Sequence, residues 1–176
     1  DNSFATESPS SGDAGARGFM RLLLPLFFLT AVSYSLCLPD WLNSDEPFHY
    51  IYIRTLLHEK RLPAHDETYQ AAHPPVYYLV AALWAVPFRD RDADFLCNWL
   101  RLLSVLFGTI TIYVLFRIGR DCLGDPWLGA GMAVFAAVNP MFAATSSVVN
   151  NDSGAILACS ATICLMLVAV RDGGGM

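Results

Sequence analysis

Charge is scarce in this sequence. Only 15% of its 176 residues are Asp, Glu, Lys or Arg, against roughly 25% in soluble domains. The little charge present sums to −5. No Lys/Arg cluster is dense enough to follow a phosphate backbone, which excludes nucleic acid as a partner. The five cysteines, Cys37, Cys97, Cys122, Cys159 and Cys164, form no C-x-x-C pair, which argues against a thiolate metal site. Most lie in or beside apolar segments, where Cys acts as a small hydrophobe. There is no internal repeat and no low-complexity array.

What is present is apolar. The chain is 55% hydrophobic, with a mean hydropathy of +0.41, and this content comes in long blocks, the mark of an integral membrane protein. Residues 1–18 are rich in Ser, Gly, Ala and acid and read as a disordered tail. Residues 19–171 then form a transmembrane domain with a long outer loop over 39–98, and 172–176 form a short tail. Phe19–Leu38 is long enough to cross ~30 Å of hydrocarbon and too long for a signal-peptide core, so it reads as a retained anchor. Arg17 and Arg21 flank its start and place the N-terminus in the cytoplasm. Trp99–Ile118, Trp127–Ser147 and Ser153–Val170 read as three further spans. The segment around Pro74–Phe88 is shorter and bounded by prolines, which fits a re-entrant or interfacial helix better than a span. The expected fold is therefore an all-α integral membrane bundle of about four spans, with an outer loop bearing juxtamembrane helices.

The most informative stretch is Asn43-Ser44-Asp45-Glu46-Pro47-Phe48-His49-Tyr50. Two adjacent carboxylates sit where the chain leaves the bilayer, and ionisable groups so close to hydrocarbon usually have a use. The plain alternative is a helix start, with Ser44 or Asp45 as N-cap, Pro near N1 and acid in the first turn. Glu46 to Lys60 reads as an amphipathic surface helix whose broad apolar face holds Phe48, Ile51, Tyr52 and Leu56 with the neighbouring Ile53 and Leu57. Asp152, with Asn150 and Asn151 before it, caps the last apolar block. If Pro74–Phe88 does not span, Asp45 and Asp152 share one side of the membrane. Asp45, Glu46, His49 and Asp152 are also the set that could bind a divalent cation through oxygen and imidazole.

Several motifs follow in order: Asp45-Glu46-Pro47-x-His49-Tyr50, Leu62-Pro63, His73-Pro74-Pro75-Val76-Tyr77-Tyr78, Asn139-Pro140-Met141-Phe142 and Val149-Asn150-Asn151-Asp152. This set resembles the N-terminal part of the membrane glycosyltransferases that use polyprenyl-phosphate sugars. That superfamily includes the protein O-mannosyltransferases and the aminoarabinose transferases of lipid A, and the likeness is to its bacterial multi-span branch. The resemblance implies part of a C-type glycosyltransferase fold in a bacterial inner membrane, with the Asp45 loop outside. It implies sugar transfer from a polyprenyl-phosphate carrier, with no cofactor required. Asp45 is implied as the base on the acceptor, with Glu46 in the same catalytic motif. His73, Pro74 and Pro75 would shape the lipid-phosphate end of the site. His49, Arg54, Tyr77, Arg101 and Asp152 complete the substrate-binding set. Arg54, Lys60, Arg61, His73 and Arg101 are the groups able to offset charge on a leaving phosphate. Such enzymes have many more spans than the four read here, so the chain is expected to be an N-terminal part whose remaining spans lie elsewhere. The competing reading is a non-catalytic membrane protein, part of a lipid or solute transporter, whose acids line a pathway. Acids gathered at one surface, with few polar residues inside the spans, favour surface chemistry on a lipid-linked substrate.

Overall fold

The computed structural model describes residues 11–39, 41, 43 and 45–173. The expectations for residues 1–10, for Ser44 as a cap and for 174–176 fall outside them. The described residues are helical, joined by turns, with no strand among them. The helices are α1 (Ser11–Cys37), α2 (Glu46–Glu59), α3 (Val76–Ala85), α4 (Ala93–Arg117), α5 (Pro126–Ala137), α6 (Pro140–Thr145) and α7 (Asp152–Gly173). A 3₁₀ turn, Tyr69–Ala72, precedes α3, another, Val86–Phe88, follows it, and a π turn, Ile118–Cys122, extends α4.

Helix α4 is the axis of the bundle and packs against α1, α3, α5 and α7. Two apolar clusters flank it. One joins α1, α4 and α5 through Phe27, Ala31, Val105, Ile112, Phe116 and Ala133. The other joins α2, α3 and the first half of α4 through Ile53, Tyr78, Ala81, Leu96 and Leu100. Three helices are long and apolar enough to cross a membrane: α1, α4 with its π turn, and α7. At 10 residues, α3 is about 15 Å long, half of what ~30 Å of hydrocarbon requires.

Two boundaries differ from the sequence reading. Helix α1 starts at Ser11, inside the stretch expected to be disordered. Its first turns are held by an ion pair from Asp13 to Arg120 at 2.7 Å and another from Asp13 to Arg17 at 2.8 Å. Trp127 packs beside Phe19, with ring centroids 6.4 Å apart. The block Trp127–Ser147 is not one helix. It breaks at Asn139-Pro140, where Asn139 is extended and its side chain accepts from the Met141 and Phe142 amides. Pro140 supplies no N–H and takes the first helical position, so a new short helix begins there. Helix α2 forms as expected, but its buried set is Glu46, His49, Tyr50, Tyr52, Ile53, Thr55 and Leu57, while Phe48 is exposed.

The α4–α5 crossing depends on the absence of side chains. A Cβ on Gly129 would overlap the Phe116 carbonyl oxygen, and one on Gly119 would overlap the Gly129 backbone. Small residues let membrane helices approach this closely. Backbone cannot yield as a side chain can, so Gly129→Ala should destabilise the bundle by about 1–3 kcal/mol. Gly131, where a Cβ meets nothing, should tolerate Ala. Thermal unfolding of the two variants in one detergent compares them directly, and equal midpoints would contradict the close crossing.

Candidate functional site

Arg101 is an ionisable group within an apolar helix, and only 1% of it is exposed. A guanidinium has five N–H donors, and buried charge is tolerated only when paired and hydrogen-bonded. All five find acceptors. Nε donates to Glu46 Oε1 at 2.8 Å and Nη2 to Glu46 Oε2 at 2.6 Å, a bidentate fork. Nη1 donates to the carbonyls of Ser35 at 3.0 Å and Leu38 at 3.1 Å, and Nη2 also reaches that of Pro39 at 3.2 Å. The Val149 amide donates to Glu46 Oε1 at 2.9 Å. One buried pair thus joins the end of α1, the start of α2, α4 and the turn before α7. The sequence placed Glu46 beside Asp45 and Arg101 among the substrate ligands. In the fold their charged atoms are occupied with each other and with backbone.

Above this pair lies a cleft of about 360 Å³ whose walls include Asp45, His49, Gln70, His73, Asn150, Asn151, Asp152 and one edge of Arg101. Asp45 and Asp152 therefore open onto the same cleft, at the same end of the bundle. Asp45 occupies the N-cap position of α2 but its side chain makes no capping hydrogen bond. Its carbonyl accepts from the Phe48 and His49 amides, both at 3.1 Å, while Oδ1 accepts from the Tyr69 hydroxyl at 2.6 Å. Asp152 does not cap α7 with its side chain. The Asn150 carboxamide accepts from the Ser153 amide at 3.0 Å and donates to the Thr145 carbonyl at 2.9 Å, tying α6 to α7. Asp152 stands exposed in the first turn.

The two histidines meet at one buried phenol. His49 Nδ1 lies 2.8 Å from the Tyr78 hydroxyl, and His73 Nδ1 lies 3.3 Å from it. A phenol can donate its single hydrogen to only one of them. The other imidazole must then donate its own Nδ1–H, so the pair holds opposite roles at this oxygen. Tyr78 is stacked on Tyr52 with centroids 3.7 Å apart. Burial, followed by the neighbouring His73 imidazole, pulls the pKa of His49 down to about 4, so His49 is neutral in the working range.

The remaining residues singled out in the sequence separate. Pro75 starts α3, its carbonyl accepting from Leu79 at 2.9 Å. Pro74 and Tyr77 line a second, apolar groove of about 440 Å³ between α3 and α7, with Val80, Phe107, Gly154 and Leu157. Asn151 belongs to both cavities. Arg54 faces away, beside Arg89 and Arg91 in another concavity, and Arg61 is held by Glu59 and Glu67. Among the described residues no group of three or more His, Cys, Asp or Glu is placed to hold a metal ion, and Glu46 is turned from any such set toward Arg101. Tyr69, Gln70 and Tyr78 were not singled out as site residues. Tyr78 lay within the quoted His73-Pro74-Pro75-Val76-Tyr77-Tyr78 motif, but the site set took its neighbour. Gln70 is 2% exposed and its Oε1 lacks a hydrogen-bond partner.

Fold and cleft together define an all-helical integral membrane protein with its polar chemistry gathered at one end. A family model described as dolichyl-phosphate-mannose-protein mannosyltransferase matches residues 72–175, more than half of the chain. No curated protein and no solved structure matches. The chain belongs to the dolichyl-phosphate-mannose-protein mannosyltransferase family. The matched stretch runs through His73, Arg101 and Asp152 and begins after Asp45.

Two outcomes follow from this geometry. Arg101→Met should destabilise the protein by roughly 3–5 kcal/mol, because Glu46 is left as an unpaired buried charge, and Glu46→Gln should lower stability as well. Normal unfolding midpoints in both variants would contradict the clamp. For His49, the folded pKa lies below the unfolded 6.5, so the unfolded chain binds the proton more tightly. The resulting stability is present above pH 6.5 and is lost as pH falls through about 4, a loss on the order of 3 kcal/mol. Unfolding midpoints measured across that window should fall in the parent protein, and His49→Gln should flatten the slope.

Proposed function

We propose that the chain carries the acceptor-activating part of a glycosyltransferase that moves a sugar from a polyprenyl-phosphate carrier to a hydroxyl acceptor. The observation that supports this best is the junction of the two cavities. The polar cleft ends at His73, and the apolar groove begins at the next residue, Pro74. A ligand with a polar head and a prenyl tail has its two parts matched there. Asp45 at the cleft takes the proton from the acceptor hydroxyl. The acceptor oxygen then bonds to the anomeric carbon with inversion, and the carbon–oxygen bond to the phosphate breaks. The polyprenyl phosphate leaves with the bonding electrons. His73 and Gln70 lie on the cleft wall where the phosphate end would rest, with hydrogen-bonding groups able to meet it. The cleft faces the outer side of a bacterial inner membrane, in keeping with the arginines near the start of α1.

The test is Asp45→Asn, measured by lipid-linked sugar transfer on membranes matched for protein content. Asn keeps the shape, and no capping bond is lost because Asp45 makes none through its side chain. It cannot accept the proton, and loss of a general base typically lowers the rate by about 10²–10⁴-fold. Insertion and expression should stay near normal. Retention of most activity would overturn the assignment.

A further inference from the structure

A carboxylate acting as base must present a lone pair along the line of the departing proton, so its rotation has to be fixed before the acceptor arrives. The backbone of Asp45 is fixed by the start of α2. Its side-chain torsion receives no help from a capping bond. One contact that orients it comes from the 3₁₀ turn, where the Tyr69 hydroxyl donates to Oδ1 at 2.6 Å. This turn is itself built in. Thr68 caps it by accepting from the Gln70 amide at 3.3 Å and donates its hydroxyl to the Phe48 carbonyl at 3.2 Å. The Tyr69 ring lies 4.6 Å from that of Phe48, centroid to centroid. The hydroxyl of Tyr69 is thus delivered to Asp45 by a turn anchored on the same helix that carries Asp45.

We propose that Tyr69 is a positioning residue of the site, holding the Asp45 carboxylate through Oδ1 in the orientation that takes the acceptor proton. The inference rests on the reading of Asp45 as base. Tyr69 donates a hydrogen bond and transfers no proton. Asp45 in turn makes the Tyr69 phenol harder to ionise, chiefly through that hydrogen bond. The other ionisable groups around the cleft are His49 on α2, His73 after the turn and Asp152 on α7, with the Glu46–Arg101 pair beneath. All of them are retained in the variants below, so differences between variants report on Tyr69 and Asp45.

The experiment has two arms. In the first, 3-fluorotyrosine is placed at position 69 and its ionisation is followed by fluorine NMR in the full chain, with Asp45 intact and as Asp45→Asn. The titration midpoint should fall when the carboxylate is removed, and an unchanged midpoint would overturn the contact whatever the activity. In the second arm, sugar transfer is measured for Tyr69→Phe, Asp45→Asn and the double variant. Phe keeps the ring packing on Phe48, so Tyr69→Phe should lower kcat roughly ten- to a hundredfold with the acceptor KM nearly unchanged. In the Asp45→Asn background it should cost little more, since both changes act through one group. Equal losses in both backgrounds, or no loss of kcat, would overturn the positioning role. Full activity of Asp45→Asn would instead overturn the reading of Asp45 as base, and the fluorine titration would still report whether the two side chains touch.

Discussion

A guanidinium within the apolar helix α4 must be satisfied completely or not placed there at all. Arg101 meets that demand by collecting acceptors from two parts of the chain, the end of α1 and Glu46 at the start of α2. The cost of burying two ions is high, and a hydrophobic pair of similar volume is often no less stable. What the ionic version adds is direction. A fork of five donors fits one arrangement of α1, α2 and α4, whereas greasy contacts would tolerate sliding. The floor of the cleft is therefore set by this cluster, of which Leu38, Pro39 and Arg101 themselves line it.

Everything that opens onto the cleft is suspended from that floor. Asp45 precedes Glu46, so pinning Glu46 to Arg101 sets where the carboxylate of Asp45 can reach. Val149 donates to Glu46, so the Asn150-Asn151-Asp152 turn is brought to the opposite wall. Helix α3 is joined to α4 by a reciprocal contact: each indole N–H of Trp84 and Trp99 donates to the other residue's carbonyl, at 3.0 and 2.9 Å. That link holds Tyr78, and through it both imidazoles, at the cleft. Each wall at the polar end of the molecule thus has its own tie to α4 or α2.

Much of this was legible in the sequence for one reason: long apolar blocks have few structural options in a bilayer. The long apolar helices α1, α4 and α7, the brevity of α3 and the separate helix α2 follow from length and hydropathy. Pairings between distant residues were not legible. Asp13 and Arg17 look like solvated charges of a tail until Arg120, 107 residues away from Asp13, comes alongside. Asp45 and Glu46 look like one acidic unit, yet consecutive helical residues point about 100° apart, so one meets the cleft and the other Arg101. The same divergence sends Tyr77 to the apolar groove and Tyr78 to the histidines. Asn139-Pro140 carried a readable signal, an N-cap residue followed by proline, but it lay inside an apolar run long enough to pass for a single span.

The bond between Glu46 and the Val149 amide bridges 103 residues, and the fork to Arg101 bridges 55. A ribosome delivers these partners in sequence. While α1 and α2 are emerging, Glu46 has neither partner and must remain hydrated. Arrival of α4 allows the ion pair to close, and only once the stretch before α7 has been made can the last donor arrive. The wall of the cleft that holds Val149 thus closes only after the stretch around it has been made, and a nascent chain halted before residue 149 would present Asp45 without the wall that faces it.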